Sequence, residues 1–437
     1  MKIDSLYPFQ QKALDALKDR TRVGFMLSMG LGKTPVGSQK MVDLGSPINL
    51  LICQKSKVRD WEKHFQDNFP EVFTIDFTKT SKLLWRDIKE IHKTMGKKQT
   101  VVICNYELAW RRKELQNMKS FTLMLDESSL IQNPKAKQTK FIMGLQPDSV
   151  ILLSGTPCSG KYENLWTQAH LLGWNLSQDV YEQTYVNWES FKVGKAWHKR
   201  VRKSEPYKNI ERLKDKLRDN GMYFLKTEDV IDLPEQTFID SYVSNTKEYL
   251  RFIRDSIVEI NGTEYVGSTP LSKLMFSREI CAFETASKLE ALRDILNSTN
   301  ERLVIFYNFD KELRKIEDLC IEMDRPVSIV NGHERDLMFY EDAEDSVTLV
   351  QYQAGAMGLN LQKSSRCVFF SPPVRVDHWM QAQKRIHRIG QDRPCFYYKL
   401  IVEQSIEQSI YQALERGLDF TMELFREEEK EKENPNG

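Results

Sequence analysis

The sequence predicts an α/β fold: two parallel β-sheets in tandem, each covered by helices, with a helical insertion between them. Three observations carry that prediction. Short, nearly continuous apolar runs alternate with charged helical patterns at 48–53, 73–77, 101–104, 121–125 and 150–153, as strands buried on both faces of a parallel sheet do. A second such set occurs at 304–307, 327–330, 347–350, 368–370 and 396–401. Between them, residues 158–300 carry long charged helical patterns and few strand signals. The predicted division is a first domain over 1–235, with a helical protrusion at about 158–225, and a second over 236–420 that begins with helix. A charged tail, 421–437, follows, and from Arg426 onward it is expected to fray.

Composition narrows the class. A chain of 437 residues suits two or three domains, and 41% apolar with 29% charged residues excludes a disordered or membrane-embedded protein. Its net charge of +1 means that any polyanion must be held by local patches. The seven cysteines never form CxxC and several lie in apolar runs, so they read as reduced core residues, neither disulfides nor zinc ligands. No long apolar region follows the N-terminus and no run approaches bilayer length, so a cytoplasmic protein without membrane attachment is expected; a monomer is expected as well.

The first helix is predicted from apolar positions Leu6, Phe9, Ala13, Leu14 and Leu17, with Ser5 as its cap. Gln10 stands there just upstream of a glycine loop, where a carboxamide can read the edge of adenine beside an aromatic ring. The apolar run 25–27 then empties into Met29, Gly30, Leu31, Gly32, Lys33 and Thr34. Backbone N–H groups close on phosphate oxygens where side chains are absent, which suits Gly30 and Gly32. Lys33 would hold the β- and γ-phosphates and Thr34 would ligate Mg²⁺; a surface turn is the plainer alternative. Leu27 replaces the first glycine of the usual eight-residue pattern, leaving the shorter GxGK[ST] form.

After the run 121–125 come Asp126 and Glu127, suited to hold Mg²⁺ through water and to polarise an attacking water, or else simply a solvated strand end. Ser154, Gly155, Thr156 and Pro157 form a hydroxyl-rich turn after the next run, able to report the γ-phosphate state. Further on, Lys192, Lys195, Lys199, Arg200, Arg202 and Lys203 follow one another without an intervening acid, interleaved with Phe191 and Trp197. That composition suits nucleic acid, and equally a solvated basic loop. In the second half, Asp377 would cap and Gly390 end a basic helix. Its residues Gln381, Arg385 and Arg388 fall at i, i+4 and i+7, beside an apolar face of Trp379, Ala382, Ile386 and Ile389. Arginines so held suit a γ-phosphate presented by another domain, or ordinary surface ion pairs.

Taken in order, the segments LYPFQ, MGLGKT, DESS followed by IQNPKAKQT, LLSGTP, FLKTEDVIDLP, VIFYNF, AGAMGLNL and QAQKRIHRIGQ cover nearly the whole chain. This chain resembles the Swi/Snf-type DNA translocases of helicase superfamily two, and in size the compact phage or prophage members. The resemblance implies two tandem RecA-like lobes with ATP and Mg²⁺ between them. Gln10 would contact adenine, Lys33 and Thr34 would serve phosphates and metal, and Asp126 and Glu127 would be the metal and water residues. The loop of Gly358 would sense ATP and DNA, and Arg385 and Arg388 would be arginine fingers. Duplex DNA, gripped through its phosphates, is the implied partner; an RNA-dependent or strand-separating helicase and a nucleotide-gated adaptor are the alternatives. Four departures stand out: Leu27 in the loop, Ser128 and Ser129 where DEAH has Ala and His, Gln351 to Gln353 in place of small hydroxyl residues, and Lys384 where many relatives have an acid.

Overall fold

A computed structural model of the chain describes residues 6–79, 99–193, 196–283, 286–353 and 359–423. The chain divides into two compact units: one runs up to Val230 and resumes at Asp419, and the other is Ile231–Leu418.

The first unit is built on a seven-stranded sheet. Its strands are β1 (Arg22–Leu27), β2 (Ile48–Cys53), β3 (Val72–Asp76), β4 (Gln99–Asn105), β5 (Phe121–Asp126), β6 (Ser149–Ser154) and, after a two-stranded excursion, β9 (Met222–Leu225). They lie in the order β3-β4-β2-β5-β6-β1-β9, and every pairing is parallel. Strands β2, β5 and β6 are buried almost end to end, which is why their sequences show continuous rather than alternating apolar runs. Helix α1 (Pro8–Ala16) precedes β1, α2 (Lys33–Leu44) follows it, and α3 (Val58–Asn68) follows β2. The N-cap of α1 is Tyr7, and the predicted cap Ser5 lies outside the described residues. Helix α2 sits close on the sheet because Gly37 faces it: a Cβ there would come within 2.6 Å of Leu153 and 3.1 Å of Met124 Sδ.

The predicted helical protrusion at 158–225 is only partly helical. Helices Gln178–Tyr185 and Ile210–Asp219 flank an antiparallel hairpin of β7 (Trp188–Val193) and β8 (Ala196–Val201), and the segment ends in β9. Three consecutive basic residues, His198, Lys199 and Arg200, hide the alternation of β8, and β9 is too short to show a period.

The second unit carries a six-stranded sheet made of β10 (Gln236–Val243), β13 (Leu303–Tyr307), β14 (Val327–Val330), β15 (Val347–Gln351), β16 (Arg366–Phe369) and β17 (Cys395–Val402). Their order is β10-β17-β16-β13-β15-β14, again parallel throughout. A small antiparallel pair, β11 (Ile257–Ile260) and β12 (Thr263–Val266), packs beside it. Successive side chains of β13 go to opposite cores: Val304 and Phe306 join Phe369, Trp379 and Tyr397, while Leu303, Ile305 and Tyr307 join Ile316 and Leu319. Both faces are therefore covered, at about 1.5–3 kcal/mol for each large apolar side chain removed from water. The second group includes the amphipathic helix Asp310–Glu322, which buries Ile316, Leu319 and Cys320 against the sheet.

All seven cysteines are buried free thiols. Among the described residues, no helix is long and apolar enough to cross a membrane. The tail from residue 424 lies outside the described residues.

Candidate active site

Three loops leave the carboxyl ends of the adjacent parallel strands β1, β6 and β5, the edge at which parallel sheets bind ligands. The first is the glycine loop. Gly30 and Gly32 both take left-handed backbone conformations, with φ of 92° and 72°, and α2 starts immediately after, so its first N–H groups face the loop. At Gly32 a side chain would overlap the Gln10 carboxamide as well as strain the backbone. Gln10 is itself buried: its Oε1 accepts from Tyr7 N at 2.9 Å, and its Nε2 donates to Leu31 O at 2.9 Å. Gln10 thus ties α1 to the loop, with Tyr7 stacked on Phe9 beside it. Lys33 Nζ donates to Leu27 O at 3.2 Å, and a Cβ on Gly155 would lie 3.1 Å from that nitrogen, so the Ser154–Pro157 turn borders the lysine.

The acidic pair ends β5. Asp126 Oδ2 accepts from Trp61 Nε1 of α3 at 2.7 Å. Glu127 has a left-handed backbone, φ 62°, and its Oε1 accepts from Ser129 Oγ at 2.6 Å and Ser154 Oγ at 2.8 Å. Tyr106 OH holds the backbone beneath them, donating to Asp126 O at 3.0 Å. Both carboxylates keep a little solvent exposure yet are densely surrounded by protein. Desolvation raises both pKa values, opposed at Asp126 by the Trp61 hydrogen bond and the charges of Lys57 and Lys33, and at Glu127 by Lys33 and the serine hydroxyls. A solvated strand end would show none of this. The glycine cradle, the lysine, the hydroxyl residue Thr34 and the desolvated carboxylates together form a donor set that fits a triphosphate and Mg²⁺.

In the second unit the predicted basic helix is shorter than its sequence pattern. Helix Val376–Gln383 stops before the arginines because its next carbonyls take other partners. Gln383 O accepts from Tyr397 OH at 2.7 Å, Arg385 O from Leu361 N at 3.1 Å and Ile386 O from Gln391 Nε2 at 3.0 Å. Asp377 does not cap the helix: Arg375 occupies that position and pairs with it. Arg385 and Arg388 nevertheless converge, with their Nη1 atoms 3.4 Å and 3.2 Å from Leu359 O. Burial lowers the Arg388 pKa, and among the described residues it has no ion-pair partner, unlike a surface salt bridge. Gln381 is buried on the helix beside them. His387 Nε2 lies 2.8 Å from Pro234 O, anchoring the segment to the FLKTEDVIDLP stretch. Gly358 lies outside the described residues.

The basic cluster splits between the two faces of the β7–β8 hairpin. Lys192 pairs with Trp197, and Lys199 lies on the same face two residues along; Arg200 lies on the other, paired with Glu189 at 2.5 Å and stacked over Phe191. Arg202 and Lys203 follow the hairpin, exposed, and Lys195 lies outside the described residues. Trp61 and Tyr106 escape the sequence reading altogether, since a buried aromatic at helical spacing reads as core. Ser129, by contrast, is visible there as a departure.

A model of the SNF2-related domain matches residues 10–285, and one of the helicase conserved C-terminal domain matches residues 287–390. The chain is 24% identical to an uncharacterized ATP-dependent helicase of Mycoplasma genitalium, over 92% of this chain and 40% of the relative. It is 22% identical to the SWI/SNF-related matrix-associated actin-dependent regulator of chromatin subfamily A member 1 of Mus musculus, over 86% of this chain and 39% of the relative. A Caenorhabditis elegans homolog of subfamily A-like protein 1 is 24% identical over 92% of this chain and 59% of its own length. The chain thus spans from 39% to 59% of the length of these relatives. Among solved structures, the Sulfolobus solfataricus SWI2/SNF2 ATPase core in complex with dsDNA is 20% identical, with a TM-score of 0.46, covering 95% of this chain and 91% of that one. With more than half its length matched by that first model, and two parallel sheets behind the match, the chain belongs to the family of SNF2-related, helicase-like ATPase domains.

Proposed function

We propose that this chain hydrolyses ATP and couples hydrolysis to movement along duplex DNA, held mainly through phosphates. The observation that carries the reading is the Glu127 carboxylate, desolvated, fixed by two serine hydroxyls and within the field of Lys33. In this reading Gly30, Gly32 and the N-terminus of α2 cradle the phosphates, Lys33 neutralises the terminal pair, and Gln10 with Tyr7 borders the base. Thr34 and Asp126 would hold Mg²⁺, Thr34 directly and Asp126 through water, and the ion would shield phosphate charge when bound. Glu127 orients and deprotonates the attacking water.

Arg385 and Arg388 bring positive charge to the γ-phosphate as charge develops during transfer, and the loop of Gly358 responds to nucleotide and DNA. In NTP hydrolysis such an arginine is worth about 10³–10⁵ in rate, or roughly 4–7 kcal/mol of barrier. Hydrolysis then depends on the second unit engaging a nucleotide held by the first, and DNA binding both units favours that engagement. Seven buried free thiols suit a reducing cytoplasmic setting.

The test is phosphate release in the presence of blunt duplex DNA, single-stranded DNA and RNA over a salt series. Stimulation chiefly by duplex, falling steeply with salt, is expected. Stimulation chiefly by RNA would move the assignment to an RNA-dependent helicase, and absence of turnover with every polymer would leave a nucleotide-gated adaptor.

A further inference from the structure

The β7–β8 hairpin has no place in the hydrolytic chemistry, yet its two faces are built very differently. On one, Glu189, Phe191 and Arg200 satisfy one another through an ion pair and a cation–ring contact. On the other, Lys192 stands directly across from Trp197, and Lys199 follows on the same side across from Ser190. None of the hairpin residues on that face is acidic. Trp197 is 71% exposed, the highest value among the exposed aromatic residues described. Arg202 and Lys203 continue the positive charge past the end of β8. An exposed indole with one lysine across the hairpin and another two residues along its own strand offers a flat apolar surface with phosphate partners beside it.

We propose that this face binds unpaired nucleotides, Trp197 stacking on a base while Lys192 and Lys199 meet the flanking phosphates. An intact duplex keeps its base faces stacked internally, so its phosphates reach the lysines while its bases stay out of reach of the indole. A single strand, an overhang or a frayed junction offers both, and stacking on an aromatic ring tolerates any base. The chain thereby holds unpaired nucleotides in addition to the duplex of its proposed track. This inference rests on the nucleic-acid reading above but not on hydrolysis. The shared chemistry is a base face with neighbouring phosphates, from DNA or from RNA.

The test is fluorescence anisotropy of labelled oligothymidine, oligouridine and blunt duplex with the full chain, without nucleotide, over a salt series. Trp197→Ala is expected to weaken oligothymidine or oligouridine binding about 5- to 100-fold and blunt-duplex binding less than about 2-fold, with Trp197→Phe recovering most of the loss. The arm with the larger loss names the natural polymer. Lys192→Ala with Lys199→Ala should reduce the salt slope on single strands by roughly 1.4, and Arg200→Ala should change affinity less than about 2-fold.

Unchanged single-strand affinity in Trp197→Ala overturns the proposal, as do equal losses on single strand and duplex, or competition by polyglutamate as effective as by oligothymidine. If single-strand binding ignores Trp197 while duplex still stimulates phosphate release, this inference falls and the translocase reading stands. If Trp197-dependent binding is present without stimulated release, the reverse holds.

Discussion

The two units share an architecture and differ in how they hold their charged groups. In the first, Asp126 and Glu127 are fixed by Trp61, Ser129 and Ser154, and a glycine loop with left-handed residues lies at the neighbouring strand end. In the second, Arg385 and Arg388 share one carbonyl, Leu359 O, on a segment where the helix has already stopped. A rigid set of donors and carboxylates suits binding and orienting a nucleotide. A cation without an acid partner, as Arg388 is among the described residues, suits a charge that develops only during reaction. In the proposed reading, nucleotide binding and water activation belong to the first unit and stabilisation of the developing charge to the second, so that the two can be separated by mutation.

Within the first unit the expected effects fall in a clear order. Glu127→Gln should retain ATP binding and lower phosphate release about 10²–10⁴-fold, whereas Lys33→Ala should lose both. Binding lost in Glu127→Gln to the same degree would blur the separation. Trp61→Phe keeps the ring in its pocket but removes the N–H on Asp126 Oδ2. About 10-fold more Mg²⁺ should be needed for half-maximal turnover and for tight ATP binding, with thermal stability little changed; an unaltered Mg²⁺ requirement would make Trp61 a packing residue only. The smallest effect belongs to Ser129→Ala. Ser154 remains on Glu127 Oε1, so turnover should fall only about 3- to 10-fold at constant ATP affinity. A fall as large as that of Glu127→Gln would show that Ser154 cannot hold the carboxylate alone.

Much of this is legible in the sequence. Continuous Val, Ile and Leu runs marked the inner strands of both sheets because burial on both faces leaves no alternation to disguise them. Edge strands β9 and β10 were not legible: β9 has four residues, and β10 leaves Phe238 and Tyr242 exposed among polar neighbours. Glycine, lysine and paired carboxylates announce phosphate chemistry through residue type alone. The supports of that site do not, since Trp61 and Tyr106 reach it through the fold, from α3 and from the segment after β4. Helical spacing at 381–388 placed the arginines correctly relative to each other but not on a helix, because Tyr397, Leu361 and Gln391 captured the carbonyls that would have continued it.

The most direct test of the division of labour is single-turnover phosphate release by Arg388→Ala with duplex DNA, measured beside its ATP affinity. Nucleotide affinity within about 3-fold of the unmodified chain, with release slowed about 10³-fold or more, is the predicted result. Release at an undiminished rate, or affinity lost in proportion to rate, would contradict the proposal that the second unit stabilises the charge developing on the γ-phosphate.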